Sequence, residues 1–416
     1  MIRSSACQQQ ADQFPALSGR HGDRRSYTIS WDTIEGNYLP RFAPGFFHDE
    51  QDTPWGPAIN YGNDAVRRYF IDNVLYWLRE FRLDGLRFNA IDYIKDDSDV
   101  HLLHEISETV YTAFPDRHVH LMTENPPNGT DLWAKGLFIA DWNDAFHHIV
   151  HRIATGETIG HFKEFKRNPW EKLRLVLAEG YLSMGQPTVD KDLPAPASLP
   201  PTAFIHFLQN HDQVGNRALG DRLASRIDDR LYRALVCILL MSPQIPLLFM
   251  GDDYKEINSF HYFSDYEGEL AEIIRANRSQ EAENFGGYPA GLAEEDIPDP
   301  NTLSTFQTSK LRWDHAEASE GASWSNWIRE ILAVRQTKIV PLLAEAGGYA
   351  GTIVPSPAET VFVDWQLGQT TLQLRANLSA IPCSFEPCGD LVFTSDSDPR
   401  SLDLGSFEVK VFALKT

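Results

Sequence analysis

Three short apolar runs of this chain end in side chains that can carry out acid–base or sugar chemistry. The runs are Leu83–Asn89, Val119–Asn125 and Phe204–Asp212, and each has the composition of a strand that is buried on both faces. Glu124 and Asp212 supply carboxyl groups near the ends of two runs, and Asn89 ends the first. Catalytic groups at the carboxyl ends of successive parallel strands are the layout of a (β/α)8 barrel active site.

The elements between these runs alternate between helix and strand. The apolar spacing predicts helices over 65–81, 99–113 and 231–241 and helical segments within 145–183. Further strands are predicted at Leu137–Ala140, which leads into Asp141–Asp144, and at Ile245–Met250. This alternation indicates either an α/β barrel or a doubly wound sheet.

The pattern changes after about residue 342, and three regions are predicted. Residues 1–30 are polar and lack a periodic apolar pattern, so we expect them to be divergent and poorly ordered. Residues 31–341 form a partial (β/α)8 barrel, and residues 342–416 carry short alternating runs typical of a small all-β sandwich domain.

Composition narrows the classes of function. The 416 residues carry a formal charge of −21, which disfavours a nucleic-acid partner and an anionic membrane surface. No long apolar run or leader pattern is seen, and the four cysteines lack a zinc spacing, so we expect a cytoplasmic protein with free thiols.

Several longer motifs make the chain resemble the alpha-amylase clan of glycoside hydrolases, and within it the maltooligosyltrehalose trehalohydrolases. The asparagine–histidine–aspartate core at 210–212 marks the clan, and its extension through Arg217 is typical of the trehalohydrolases and the related branching enzymes. The motifs that carry the resemblance are Glu35–Leu39, Thr53–Asn60, Asp84–Arg87, Asp141–Asp144 with Phe146–His148, Phe207–Arg217 and Phe249–Gly251.

The resemblance implies a retaining two-carboxyl mechanism that needs no cofactor and no metal. Glu124 would be the acid/base, Asp212 the carboxylate that stabilises the transition state, and Asn89 stands at the position of the nucleophile. The substrate would be maltooligosyltrehalose or a related α-glucan, cleaved at the α-1,4 bond next to the terminal trehalose. The substrate-binding residues implied by the resemblance are Arg87, His211, Trp142, Asp144, Phe146, His147, Gln209 and Asn210.

Two departures from the family pattern predict an impaired enzyme. Asn89 replaces the aspartate nucleophile, and a neutral amide is a very poor nucleophile. Ser30–Trp31 stand where the family carries an asparagine–histidine pair, and residues 1–30 do not resemble the family's first strands. The barrel is therefore expected to lack its first strands.

Other interpretations remain open from the sequence. A branching-enzyme-like transferase would use the same site, a non-catalytic barrel would only bind glucan, and a truncated chain would fold poorly. The histidines at 147, 148 and 151 lack a metal-site pattern and are expected to line a helix face or contact substrate. Oligomeric state is not predicted.

Overall fold

The computed structural model describes residues 2–3, 42–53, 56–124, 130–182, 195–289, 291–293, 296–386, 389–395 and 403–415. Of residues 1–31, for which the sequence made predictions, only Ile2–Arg3 belong to the described ranges. Cys7 and Cys388 also lie outside these ranges.

The strands of the described chain are β1 Ile2–Arg3, β2 Phe47–Thr53, β3 Gly56–Ile59, β4 Gly85–Phe88, β5 His120–Thr123, β6 Ala140–Trp142, β7 Phe204–His206, β8 Ile245–Leu248, β9 Ala346–Ile353, β10 Thr360–Leu367, β11 Thr370–Asn377, β12 Cys383–Ser384, β13 Asp390–Thr394, β14 Asp403–Leu404 and β15 Val409–Lys415.

The α-helices of the same residues are α1 Asp64–Glu80, α2 Leu102–Ala113, α3 Asp131–Ala134, α4 Asp144–Thr155, α5 Pro169–Glu179, α6 His211–Gly215, α7 Asp229–Met241, α8 Gly268–Asn284, α9 Leu303–Thr308, α10 Trp313–Glu317, α11 Ser319–Val334 and α12 Val340–Leu343. A π-helical turn at Arg335–Ile339 connects the last two.

One parallel sheet organises the first part of the chain. Its order is β1-β8-β7-β6-β5-β4, and every pairing in it is parallel. From β4 to β8 each strand lies beside the next strand in the chain. This consecutive order is that of a barrel wound in one direction, because a doubly wound sheet reverses its strand order at a switch point.

Local sequence explains the start of α1 but not that of β6. The Asn63 side chain accepts a hydrogen bond from the Ala65 N–H and starts α1, which confirms the helix predicted over 65–81. The predicted start of β6 was wrong, because the strand begins at Ala140 rather than at Leu137. The N–H groups of Leu137 and the next residue bond instead to the Leu132 carbonyl, which extends the turn after α3.

The last part of the chain is an antiparallel sheet of order β13-β15-β11-β10-β9, as its alternating pattern predicts. The sheet packs against α5, and the fully buried Trp365 of β10 lies in one hydrophobic cluster with the buried residues of that helix. The Trp365 indole N–H donates to the Leu177 carbonyl at 2.9 Å. A continuous core therefore joins this sheet to the outer helices of the parallel sheet.

Candidate active site

The ends of β4 and β5 bring Asn89 and Glu124 to neighbouring positions. The two strands pair with Gly85 opposite His120, and the same register continued past their ends sets Asn89 opposite Glu124. The strands approach so closely at Gly85 that an added Cβ atom would clash with the His120 carbonyl oxygen. A residue without a side chain is therefore required where these strands begin their pairing.

Arg87 connects the two strand ends. One guanidinium nitrogen, Nη1, donates to Asn89 Oδ1 at 2.8 Å, and the other, Nη2, lies 2.8 Å from Glu124 Oε2. The guanidinium carbon lies 3.8 Å from the ring centroid of Trp142, which is cation–π geometry. The Arg87 side chain is only 14% exposed, so its charge acts on these groups with little screening.

Glu124 is fixed by both its side chain and its backbone. The residue is 4% exposed, and Oε2 also accepts the Ala90 N–H at 3.0 Å. Its backbone N–H donates to the Phe88 carbonyl at 2.9 Å, and its carbonyl accepts the Ile91 N–H at 3.2 Å. Ala90 has the left-handed conformation, with φ 48° and ψ 48°, which non-glycine residues adopt mainly where the surroundings hold them.

A buried acid lies behind these residues. Asp141 is fully buried and accepts hydrogen bonds from Thr123 Oγ1, at 2.8 Å, and from the Tyr181 hydroxyl. Burial raises the pKa of Asp141 well above its ordinary value, and the neighbouring carboxylates Asp144 and Glu124 act in the same direction. The hydrogen bonds from Thr123 and Tyr181 fix the Asp141 side chain in β6, and its burial favours the protonated form of the carboxyl group.

The segment after β7 brings Asp212 to the same end of the sheet. Asn210 begins α6 with a capping box: its side chain accepts the Asp212 N–H at 2.8 Å, and its own N–H donates to Gln213 Oε1 at 3.0 Å. His211 Nε2 lies 3.3 Å from Asp212 Oδ2. The clan motif thus serves as a helix start that aims a carboxylate.

Tyr262 is the second partner of Asp212. Its hydroxyl donates to Asp212 Oδ1 at 2.8 Å, and its ring packs on Gly215, where an added Cβ atom would lie 3.0 Å from ring carbons. Burial, Asp212 and, more weakly, Glu124 raise the pKa of Tyr262 well above its ordinary value, so the hydroxyl keeps its proton. His211, beside Asp212, lies 6.0 Å ring to ring from Trp142, and Trp142 contacts Arg87, so Asp212 and Glu124 belong to one site.

The buried Gln209 side chain bonds to groups within the protein. Its side-chain amide donates to Asp252 Oδ1 at 2.7 Å, and its oxygen accepts the Leu223 N–H at 2.9 Å. These contacts join the end of β7 to the segment after β8. The predicted substrate contact of Gln209 has no support from this position.

The predicted residues after β6 divide into two groups. Trp142 borders Arg87 and lies 6.0 Å, ring to ring, from His211, and Asp144 accepts the Gln213 side-chain amide at 3.0 Å. Phe146 and His147 are instead 0% and 1% exposed. Phe146 stacks on the buried His206 ring, so its position does not support a direct contact with substrate.

The histidines of α4 pack as neutral rings. Burial is the main cause that lowers the pKa of His147, His148 and His151, in the case of His148 to about 3. His148 stacks on His161 and His151 on Phe162. Within the described ranges, no group of three or more His, Cys, Asp or Glu residues is arranged to hold a metal ion.

Curated proteins supply relatives over most of the chain. The malto-oligosyltrehalose trehalohydrolase of Deinococcus radiodurans is 33% identical over 353 residues, which are 81% of this chain and 57% of the relative. That of Mycobacterium tuberculosis is 33% identical over 396 residues, 90% of this chain and 66% of the relative. This chain therefore spans less than two thirds of the length of these relatives. A comparison with protein-family models finds none that matches.

A solved structure shares the fold. The crystal structure of a candidate alpha amylase from Salmonella typhimurium superimposes with a TM-score of 0.83 at 41% identity and covers 92% of this chain and 66% of that protein. This chain belongs to the alpha-amylase family. The predicted α/β fold, with a (β/α)8-type barrel followed by an all-β domain, is thereby confirmed.

In this alpha-amylase family chain, the structure brings most of the predicted polar residues together. Arg87, Asn89 and Glu124 form one contact group, and Trp142 and His211 connect it to Asp212. The catalytic role of each residue stays a prediction. Among the described residues, no helix is long and apolar enough to cross a membrane.

Sequence reasoning missed two members of this alpha-amylase family site. Asp141 stood inside a recognised motif, but its exclusion from solvent depends on Thr123 and Tyr181, which come from other segments. Tyr262 lies in the segment after β8. Loops that follow barrel strands build the active site in this fold, and that general rule was the one signal that could have predicted Tyr262.

Proposed function

We propose that this chain carries a glycosidase site of the trehalose-releasing type, which hydrolyses the α-1,4 bond next to the terminal trehalose of maltooligosyltrehalose. The observation that carries the proposal is the single Arg87 guanidinium that holds both Asn89 and Glu124 at adjacent strand ends. The names of the curated relatives supply the substrate.

The proposed mechanism is a retaining one. Two carboxyl groups about 5–5.5 Å apart would flank the scissile bond, one attacking the anomeric carbon and the other protonating the leaving oxygen. Glu124 would be the acid and later the base, and Asp212, fixed by Tyr262, would stabilise charge on the sugar. Its tight fixation suits the positional demands of such a step.

The nucleophile position holds an amide, so we propose that the chain with Asn89 is much impaired. An amide oxygen keeps the hydrogen bond from Arg87 but carries no charge with which to attack or to balance an oxocarbenium ion. Loss of a nucleophile in a concerted catalytic group costs on the order of 10⁴–10⁶ in rate.

The same residue favours a second candidate, a barrel that binds glucan without cleaving it. Arg87, Trp142 and Asp212 would still contact a sugar, because none of them depends on the charge of residue 89 for its position. Binding of maltooligosyltrehalose without turnover, and without gain on restoring the carboxylate, would favour this candidate. A role in trehalose biosynthesis and a cytoplasmic location stay predictions.

The test compares trehalose release by the chain and by Asn89→Asp, with new α-1,6 branches measured in the same samples. We expect Asn89→Asp to release trehalose at least about a thousandfold faster than the chain in which Asn89 is intact. The matched control is Asn326→Asp, the same substitution at an exposed position of α11, which should leave the rate unchanged. New branches instead of trehalose would assign a transferase, and equal rates would contradict the proposal.

A further inference from the structure

The peptide bond between Asn89 and Ala90 lies inside a closed ring of polar contacts. The Ala90 N–H donates to Glu124 Oε2 at 3.0 Å, and the same oxygen lies 2.8 Å from Arg87 Nη2. Arg87 Nη1 in turn donates to the side-chain oxygen of Asn89 at 2.8 Å. The peptide bond from Asn89 to Ala90 closes the ring. The side-chain carbonyl of Asn89 therefore faces the Arg87 cation, and the Ala90 nitrogen faces the Glu124 carboxylate.

These contacts match the needs of one reaction of asparagine. A backbone nitrogen can attack the side-chain carbonyl of the preceding asparagine and close a five-membered succinimide. The attack requires a base on that nitrogen and stabilisation of the negative charge that develops on the side-chain oxygen. Glu124 occupies the first position and Arg87 the second.

We propose that Asn89 is a self-modification site, where Glu124 and Arg87 promote its deamidation to aspartate. The Ala90 nitrogen forms a bond to Asn89 Cγ while its proton passes to the Glu124 carboxylate. The oxyanion collapses, the C–N bond of the side-chain amide breaks, and ammonia leaves with the proton from Glu124. Water then opens the succinimide, which adds one oxygen and restores an acyclic chain.

Arg87 also sets which product forms. Water can attack the side-chain carbonyl, which yields aspartate, or the backbone carbonyl, which yields isoaspartate. Because the Arg87 N–H polarises the side-chain carbonyl, attack there is favoured and the product is aspartate with its normal backbone. The modified site then holds the carboxylate that a retaining glycosidase needs, and this consequence alone rests on the proposed function.

The backbone conformation of Ala90 supports the assignment. The left-handed region is unfavourable for alanine, and the Ala90 N–H is directed at a nearly buried carboxylate. Such a conformation at a group with a chemical task is how proteins store local strain where it is used.

The test measures the mass of the tryptic peptide that runs from Phe88 to Lys95 during incubation of the folded full chain at neutral pH. Deamidation replaces NH by O, and incubation in ¹⁸O-labelled water marks the incoming oxygen. A synthetic peptide of the same sequence gives the rate that sequence alone sets. We expect the folded chain to deamidate about 100-fold faster than the peptide, and to yield mainly aspartate.

Two variants separate the chemistry from local mobility. Glu124→Gln should lower the rate at Asn89 to that of the peptide or below, and Glu108→Gln, which removes an exposed carboxylate from α2, should leave it unchanged. A folded chain that deamidates no faster than the peptide overturns the proposal even where Glu124→Gln fails to fold. Conversion to aspartate without any gain in trehalose release would keep this proposal and contradict the proposed function.

Discussion

Arg87→Met should destabilise the protein far more than an ordinary loss of a surface charge. The substitution keeps much of the apolar stem but removes the cation from Glu124, Asn89 and Trp142 together. Glu124 would then be left 4% exposed without its ionic partner, while the Ala90 N–H remained its donor.

The magnitude follows from the burial of the pair. The two side chains are 14% and 5% exposed, so this is a nearly buried ion pair. Removing one partner of such a pair costs about 3–5 kcal/mol, largely because the other charge stays buried. In Arg87→Met with Glu124→Gln, neither position carries a charge, and we expect the two losses to fall short of additivity by about 2–3 kcal/mol.

The assay is urea unfolding at pH 7, followed by circular dichroism, for the chain, both single variants and the double variant. Arg68→Met is the matched control, because Arg68 pairs with Asp72 at 66% and 53% exposure, and it should change the unfolding free energy by less than about 1 kcal/mol. A coupling energy below about 0.5 kcal/mol between positions 87 and 124 would show that the two side chains do not act as a buried ion pair.

Three further predictions concern the elements around the site. Gly85→Ala should lower the unfolding free energy by about 1–3 kcal/mol, because the added Cβ atom clashes with the His120 carbonyl oxygen of β5. The control is Gly347→Ala, which should leave the unfolding free energy unchanged because its added Cβ atom meets nothing within 4 Å. Equal melting temperatures for the two variants would contradict the close approach of β4 and β5. Burial raises the pKa of Asp252 from 3.8 to about 6. Its protonated form therefore stabilises the fold below about pH 4, and that contribution is lost as pH rises through 6. Relative to Asp252→Asn, the chain should lose up to about 3 kcal/mol of unfolding free energy between about pH 4 and pH 6, as measured by denaturant titrations. Parallel dependence of the unfolding free energy on pH in the chain and in the variant would contradict the raised pKa of Asp252. Tyr262→Phe, combined with Asn89→Asp, should lower kcat about 10–100-fold with little change in KM, because the Asp212 carboxylate loses the hydrogen bond from the Tyr262 hydroxyl. An unchanged kcat would show that Tyr262 does not belong to the site.

The sequence predicted well those features that depend on local pattern. Apolar runs ending in polar residues located β4, β5 and β7, because strands covered on both faces carry few polar side chains until they leave the sheet. Since parallel strands end at one edge, the same pattern also predicted that Arg87, Glu124 and Asp212 would lie near one another.

Features that depend on distant segments were not predicted. The tyrosine hydroxyl on Asp212 comes from 50 residues further along the chain, and no spacing rule connects the two. Gln209 and Phe146 belong to motifs of the family but face inward, because Gln209 bonds to Asp252 and to the Leu223 N–H and Phe146 stacks on the buried His206 ring. A motif therefore identifies a segment more reliably than it identifies which side chains reach the substrate.

Trapping the glycosyl-enzyme identifies the residue that attacks the sugar. Asn89→Asp is incubated with a fluorinated maltooligosyl fluoride, which forms the covalent intermediate faster than water removes it, and the tryptic peptide from Phe88 to Lys95 is sequenced by mass spectrometry. We predict that the sugar is attached to the carboxylate at position 89 and that chains in which residue 89 is still an asparagine stay unlabelled. A sugar attached to Asp92 or to another peptide, or turnover by Asn89→Asp without any trapped sugar, would show that position 89 does not hold the nucleophile.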